Sequence, residues 1–294
     1  MTGPTPPGTG EIGQIFFRFS KSISPTHFPS SFTTVATSIS IVPFFTKSFL
    51  IKFILPAAEI TISLFKVISF KSFVLLWHKV TTAFFAVNIF AKNTIDALLI
   101  ARPLPPQLND LDIAANINPA QDIDGSGLIS MGRLFMCKTW QQIENLQTFI
   151  PCCPKAVMRL LDYHKIILEG KKVAVIGRSN TVGSPLAKML TAKNATVTLC
   201  HSKTKELKEI TLNSDIVISA AGKINLIKKD FVKKGTILID VATVVNEQGK
   251  CVGDMDFENL KDICAISPVP GGVGPVTLAC LLENIIISAE RKIK

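Results

Sequence analysis

Between residues 171 and 193 the chain compresses an apolar strand, a glycine turn and a helix start into one short stretch, and few folds accommodate that succession. Lys171-Lys-Val-Ala-Val-Ile176 is a brief apolar run suited to a strand buried on both faces of a parallel sheet. It ends in Gly177-Arg-Ser-Asn-Thr-Val-Gly183-Ser184-Pro185. Ser184 is a good N-cap residue and Pro185 suits the first helical position, so the spacing predicts a helix through Leu186 to Lys193. Strand, glycine turn and helix start together form an anion site, because backbone N–H groups and the positive end of the helix dipole face one point. The Gly-x5-Gly spacing is a variant of the fuller Gly-x-Gly-x-x-Gly pattern, and taken alone a plain tight turn explains it equally well.

The surrounding pattern favours the anion site. Further strands are predicted at Ala195-Thr-Val-Thr-Leu-Cys200, Asp215-Ile-Val-Ile-Ser-Ala220 and Thr236-Ile-Leu-Ile-Asp-Val241. Four apolar strands spaced by helix-length segments make a Rossmann-type doubly wound parallel sheet, an α/β fold, the economical solution. The third and fourth strands end in the small residues Ala221-Gly222 and Ala242-Thr243, which leaves room at the carboxyl edge where such sheets bind ligands. At the end of the second strand, where an NAD enzyme places an acid on the ribose 2′-hydroxyl, stands His201-Ser202-Lys203-Thr204. No carboxylate occupies residues 200–205, and with Arg178 and Lys203 nearby the site suits a 2′-phosphate, hence NADP; Ser202 can donate to it. His201 is read equally well as a strand-end histidine without a ligand.

Composition changes character near residue 95. Fifteen of the nineteen Phe lie in residues 1–95, and after Gly13 no glycine occurs until Gly125, an odd desert for a domain that needs turns. That segment holds eight Lys/Arg and two Glu, +6 of the total charge of +10, so the basic excess is local and is not read as a nucleic-acid surface. Lys52, Glu59, Lys66 and Lys71 interrupt the apolar stretch 48–79, and the uncharged stretch 22–46 is Ser/Thr-rich and broken by prolines, so neither is read as a membrane span. A secretory signal does not fit the start Met1-Thr-Gly-Pro4, and a transit peptide fits the length and the Phe content poorly. The preferred expectation is a degenerate or out-of-frame translation in place of a true amino-terminal domain. Seven cysteines, none in a Cys-x-x-Cys pair, read as reduced thiols rather than a disulfide framework or a metal site. Cys152 and Cys153, beside Pro151, read as small buried side chains rather than nucleophiles.

Ser267-Pro-Val-Pro-Gly-Gly-Val-Gly-Pro-Val-Thr277 is too particular for generic reasoning about such sheets. It resembles the Pro-Val-Pro-Gly-Gly-Val-Gly-Pro-x-Thr signature of the bifunctional methylenetetrahydrofolate dehydrogenase/cyclohydrolase family. The same family is resembled by Gly177-Arg-Ser with Val182-Gly183 and Pro185, Asn194-Ala-Thr-Val-Thr198, Cys200-His-Ser-Lys-Thr204 and Val252-Gly-Asp-Met-Asp-Phe257. Upstream, Pro103-Leu104-Pro105, Asp122-Ile-Asp-Gly125 and Gly132-Arg-Leu134 resemble further family blocks, in family order. Three glycines within Gly271–Gly274 would let a flat pterin and a nicotinamide approach the backbone, which a merely rigid loop does not require. Leu278, Leu281, Leu282, Ile285 and Ala289 recur at helical spacing, so a terminal helix is expected after Pro275.

The resemblance implies hydride transfer from 5,10-methylenetetrahydrofolate to NADP, then hydrolysis of the methenyl product to 10-formyltetrahydrofolate. It places Asp124 as the catalytic aspartate that holds the pterin; an Asx-type turn before Gly125 is the structural alternative. Cofactor candidates are Gly177, Arg178, Ser179, Val182, Gly183, His201, Ser202, Gly222 and Thr243, and substrate candidates Pro103, Leu104, Pro270, Gly271, Gly272 and Thr277, with no metal. Departures are clear: the family's Gln falls on Ala101, no Tyr-x3-Lys pair exists because Tyr163 is the only tyrosine, Lys79 sits too near Pro103-Leu-Pro105, and Ala242-Thr-Val244 replaces Gly-Ile-Asn or Gly-Thr-Asn. A catalytically inactive NADP-binding homologue is therefore the alternative function. The expected organisation is an anomalous segment 1–95, a remnant of an N-terminal α/β catalytic domain at 96–148, an NADP-binding domain at 149–275 and a helix at 276–294. A cytoplasmic homodimer acting on tetrahydrofolate derivatives is expected, without nucleic acid or membrane; an organellar address is the alternative if residues 1–95 include a transit peptide.

Overall fold

The structure, a computed structural model, describes residues 97–100, 102 and 110–293, and ahead of them the backbone course of four strands. The boundary expected near residue 95, and with it Lys79, Ala101, Pro103 and Leu104, lies outside the described residues. The chain divides into two units, residues 1–70 and 71–294. In the first, β1 (Ser38–Pro43), β2 (Phe49–Leu55) and β3 (Ala58–Ser63) form an antiparallel sheet in that order, with Ile41 opposite Ile51 and Ile51 opposite Ile62.

The second unit opens with β4 (Phe73–Leu75) parallel to β5 (Ala97–Leu99). Helices α1 (Asp110–Asn116), α2 (Leu128–Met136), α3 (Trp140–Glu144) and α4 (Cys152–Tyr163) follow. A capping box starts α3: the Thr139 hydroxyl accepts from the Gln142 amide while the Gln142 side chain accepts from the Thr139 amide. The chain then winds through β6 (Lys172–Ile176), α5 (Gly183–Ala192), β7 (Thr196–Cys200), α6 (Leu207–Leu212), β8 (Ile216–Ser219) and β9 (Ile237–Asp240). A short hairpin of β10 (Val244–Val245) and β11 (Cys251–Val252), then α7 (Phe257–Leu260), β12 (Ala265–Ile266) and α8 (Val273–Ile293), complete it.

Strands β7, β6, β8, β9 and β12 lie side by side in that order, all parallel. Both faces of β6, β8 and β9 are covered, which explains their unbroken apolar runs, while edge strand β7 stays largely exposed. Val173, Val175, Ile216, Ile218 and Ile239 point to one core, shared with Met158 and Leu161 of α4, Leu186, Met189 and Leu190 of α5 and Cys280 of α8. Ala174, Ile176, Val217 and Leu238 alternate to the other core, with Leu260 of α7 and Cys264. At roughly 1.5–3 kcal/mol for each fully buried aliphatic side chain, these two layers are the main force holding the sheet.

The doubly wound parallel sheet expected from the sequence is thus present, with corrections in detail. It has five strands rather than four, because two-residue β12 is too short to carry a periodic signal. Helix α5 begins at Gly183, and Ser184 does not cap it: the Ser184 hydroxyl donates to the Arg178 carbonyl at 3.1 Å and its amide to the Ser179 carbonyl at 3.1 Å. Pro185 is then the third helical residue, still within the first turn where no intrahelical N–H is required. Helix α8 likewise begins before Pro275, at Val273. Its Val273–Arg291 stretch is long and apolar enough to cross a membrane, a property that core helices share; here Cys280, Leu282, Ile285 and Ala289 are buried. Lys155 and Arg159 of α4 both meet Glu283 at 2.7 Å.

Candidate functional site

Parallel strands bring all their carboxyl ends to one edge, and the order β7-β6-β8 makes the gap between β6 and β8 the switch point, where successive connections leave in opposite directions. Gly177 ends β6 with φ +114, and a Cβ there would meet the Ala220 carbonyl at 2.5 Å. A Cβ on Gly183 would overlap the Gly177 carbonyl, so turn and helix start are in direct backbone contact. The Val182 amide donates to the Ser179 hydroxyl at 3.2 Å, closing the turn from within, while Arg178 and Ser179 remain exposed. The arrangement is a backbone-lined concavity at a helix start, able to take a phosphate group.

The neighbouring turn is joined to it: the Gly177 amide donates to the Cys200 carbonyl at 2.9 Å. His201 and Thr204 close this second turn, the His201 amide donating to the Thr204 hydroxyl at 2.8 Å and the Thr204 amide to the His201 carbonyl at 2.8 Å. The Lys203 amide donates to His201 Nδ1 at 3.1 Å, so in the neutral ring Nε2 carries the proton. Ser202 and Lys203 are exposed on the turn, and no acid stands in it. Thr204, which the sequence reading did not single out, is what shapes it; a Ser/Thr able to accept from the amide three residues before it, just past a strand end, is the available signal.

On the other side of the switch point, Gly222 follows β8 with φ +69 and open space where a side chain would be. Thr243 is exposed in the loop after β9, next to buried Ala242. Asp240 and Asp254 were likewise missed. Asp254 accepts from Ser219, Ala221, Gly222 and Lys223, and Asp240 accepts from the amides of Ala242, Asp254 and Met255. Burial pushes the Asp240 carboxyl up to about 6, against the pull of those amides and with the help of Asp254's charge.

The glycine-rich loop is tied to the same edge. The Ser267 amide donates to the Leu238 carbonyl at 3.0 Å, and the Asp240 amide to the Ser267 hydroxyl at 2.8 Å. The Val269–Pro270 peptide is cis, Gly271 has φ +105, and a Cβ on Gly272 would overlap the Pro268 carbonyl. Pro270 is exposed at its tip. Thr277 lies on α8, its hydroxyl donating to the Val273 carbonyl at 3.0 Å.

Asp122 and Asp124 accept from different parts of the chain. The local turn is held instead by Asp122, whose carboxylate accepts from the Ser126 amide at 3.0 Å and the Gly127 amide at 2.9 Å, four and five residues on. That corrects the structural alternative for Asp124, which instead accepts from the Cys152 amide, at 3.3 Å, at the start of α4. Burial raises Asp124 to about 6, with the Cys152 amide pulling the other way. Of the two adjacent cysteines, Cys152 is buried as expected and Cys153 only half-buried; desolvation pushes both thiols up, Cys153 to about 11, which disfavours the thiolate at both. Among the described residues no group of three or more His, Cys, Asp or Glu converges as a metal site.

The family profile described as the NAD(P)-binding domain of tetrahydrofolate dehydrogenase/cyclohydrolase matches residues 151–293. "Bifunctional protein FolD" of Elusimicrobium minutum is 56% identical over 212 residues, 70% of this chain and 74% of that protein. Its counterpart from Thermodesulfovibrio yellowstonii is 45% identical over 199 residues, 67% of each chain. Among solved structures, the bifunctional FolD methylenetetrahydrofolate dehydrogenase/cyclohydrolase of Campylobacter jejuni superposes with a TM-score of 0.66 at 40% identity, covering 72% of this chain and 73% of that one. The Trypanosoma brucei enzyme, complexed with NADP and an inhibitor, does so with a TM-score of 0.65 at 32% identity over 73% of each chain.

Proposed function

Because the chain belongs to the tetrahydrofolate dehydrogenase/cyclohydrolase family, we propose that it oxidises 5,10-methylenetetrahydrofolate to the methenyl form with NADP and hydrolyses that product to 10-formyltetrahydrofolate. The observation that carries this is the backbone cradle at the switch point, where Gly177, Gly183 and the acid-free turn His201–Thr204 meet through the Gly177–Cys200 hydrogen bond. The cradle fits the cofactor: glycine at 177 and 183 lets the turn pack backbone to backbone against the end of β8 and the start of α5, which sets the turn and the helix start side by side for a pyrophosphate.

Gly177, Ser179, Val182 and Gly183 hold the pyrophosphate against the start of α5. Arg178, His201, Ser202 and Lys203 take the 2′-phosphate, cationic or hydrogen-bonding groups standing where an NAD site would need an acid. Gly222 and Thr243 border the nicotinamide. When bound, NADP supplies the hydride acceptor. Pro270, Gly271, Gly272 and Thr277, with Pro103 and Leu104 of the Pro-Leu-Pro segment, form the pterin's surroundings, and Asp124 accepts hydrogen bonds from its ring nitrogens. The protein's contribution to the oxidation is orientation of the two rings and exclusion of water between them.

Such chemistry belongs to one-carbon folate metabolism and feeds purine biosynthesis. The proposed setting is a cytoplasmic homodimer with tetrahydrofolate derivatives as its small-molecule partners. The names of the relatives weigh towards an enzyme and give no support to an inactive homologue. The test is direct: purified full-length chain given 5,10-methylenetetrahydrofolate and NADP should produce reduced cofactor and consume added methenyltetrahydrofolate faster than buffer does. NADP binding without either reaction would return the chain to the inactive reading.

A further inference from the structure

Val252-Gly-Asp-Met-Asp-Phe257 is conspicuous in the sequence, yet nothing in the cofactor reading uses it. We propose that Asp254 in this stretch is a positioning residue for NADP: its carboxylate fixes the turn Ala221–Lys223, the wall of the switch-point crevice that faces the glycine turn. The inference rests on the reading that this crevice takes NADP.

Asp254 is fully buried, and four donors converge on it. Oδ2 accepts from the Ser219 hydroxyl at 2.6 Å, the Ala221 amide at 2.7 Å and the Gly222 amide at 3.3 Å, and Oδ1 accepts from the Lys223 amide at 2.6 Å. Three consecutive amides therefore turn inward to one carboxylate. That convergence requires the left-handed backbone at Gly222, and it leaves as the outer surface of the turn a glycine with open space over its missing side chain. A flat ring can lie there; a turn whose amides were free to point outward would close the same space.

Asp254 is itself held in place. Its amide donates to Asp240 Oδ1 at 3.1 Å, its carbonyl accepts from the Ile227 amide at 3.1 Å, and a side chain on the preceding Gly253 would overlap the Asp240 carboxylate. A chain of contacts thus runs from the end of β9 through Asp240 and Asp254 to the exit of β8. Simple closure of this loop would not need a buried charge. A charge-assisted acceptor does more: it orders several amides at once at a site where the backbone, not side chains, must meet the ligand.

The experiment compares the full-length chain with Asp254→Asn and Ser219→Ala. It measures NADP affinity by titration, KM for NADP and for the folate separately, kcat, and hydrogen exchange of the amides of residues 221–223 in ligand-free protein. Asp254→Asn keeps the volume but replaces an acceptor with a donor, so at least one amide loses its partner. Loss of charge-assisted bonds of this kind corresponds to roughly tenfold to hundredfold weaker NADP binding, with the folate KM within about twofold of its original value. The amides of residues 221–223 should exchange faster. Ser219→Ala, which removes a single bond, should weaken NADP several-fold, about 1 kcal/mol in the same accounting, and it decides the matter should the asparagine variant fail to fold. A folded Asp254→Asn, or failing that Ser219→Ala, that binds NADP as tightly as the parent overturns the proposal while leaving the cofactor reading intact. A parent chain that binds no NADP overturns both, starting with the cofactor reading.

Discussion

Gly177 and Gly183 shape the proposed cofactor site in different ways, and substitution should separate them. At Gly183 the backbone is ordinary but the space is taken by the Gly177 carbonyl, so Gly183→Ala must push the helix start away from the turn. At Gly177 both the space and the φ of +114 forbid a side chain. Gly183→Ala is expected to weaken NADP by tenfold or more in titration; affinity unchanged within about twofold would mean that the turn does not hold the pyrophosphate. Asp124 permits a second test because burial places it at about 6 rather than 3.8. If its ionised form holds the pterin, folate KM should rise as pH falls through about 6, and Asp124→Asn should flatten that rise. The same shift affects stability. Between pH 3.8 and about 6 the folded chain holds a proton here that the unfolded chain has released, so the contribution of Asp124 is fullest below 3.8 and declines as pH rises through that window. Thermal midpoints of Asp124→Asn against the parent across that range should show a shallower decline.

Among the elements, α4 and α8 are joined by a cluster the sequence did not announce: Lys155 and Arg159 share Glu283, and Lys155 also donates to Asn284 at 3.0 Å. Burial alone would raise Glu283, but Arg159 and Lys155 outweigh it and hold the carboxyl below its usual range. Its stabilisation is therefore present above the ordinary glutamate range and lost as pH falls through the lowered value. With Glu283 about two-fifths exposed, solvent screening limits Glu283→Ala to about 1 kcal/mol, or roughly 2–4 °C in thermal midpoint; no shift would mark the pairs as surface decoration. What the sequence made legible was local pattern. Strands β6, β8 and β9, buried on both faces, left unbroken apolar runs, and the glycines at residues 177, 183, 271 and 272 stood where the backbone needs them. Signals weaker than one turn or one pleat were lost, so β12 and the hairpin β10–β11 were not foreseen and Ser184 was credited with a cap it does not make. Asp240 and Asp254 were illegible for a different reason: except for the Ala242 amide, the donors each one holds lie 14 to 35 residues away in the chain, and no local window contains both ends of such a contact.

At the scale of the whole second unit, the crevice and the two hydrophobic layers are not independent, because the strands that end at the glycine turn and at Ala220–Gly222 are the same β6 and β8 that divide the cores. A ligand gripping those ends must therefore protect the sheet as a body rather than one loop. Saturation at a hundred times the Kd stabilises a folded state by about 2.7 kcal/mol when only that state binds. NADP should accordingly raise the thermal midpoint and slow amide exchange along β6, β8 and β9 together, not only in residues 177–183. NAD lacks the phosphate that Arg178 and Lys203 are proposed to meet, so at equal concentration it should protect the same strands to a smaller extent. Equal protection by the two would remove the acid-free turn after β7 as the source of selectivity. Protection confined to the glycine turn would show that the crevice is a surface feature, mechanically separate from the sheet on which it stands.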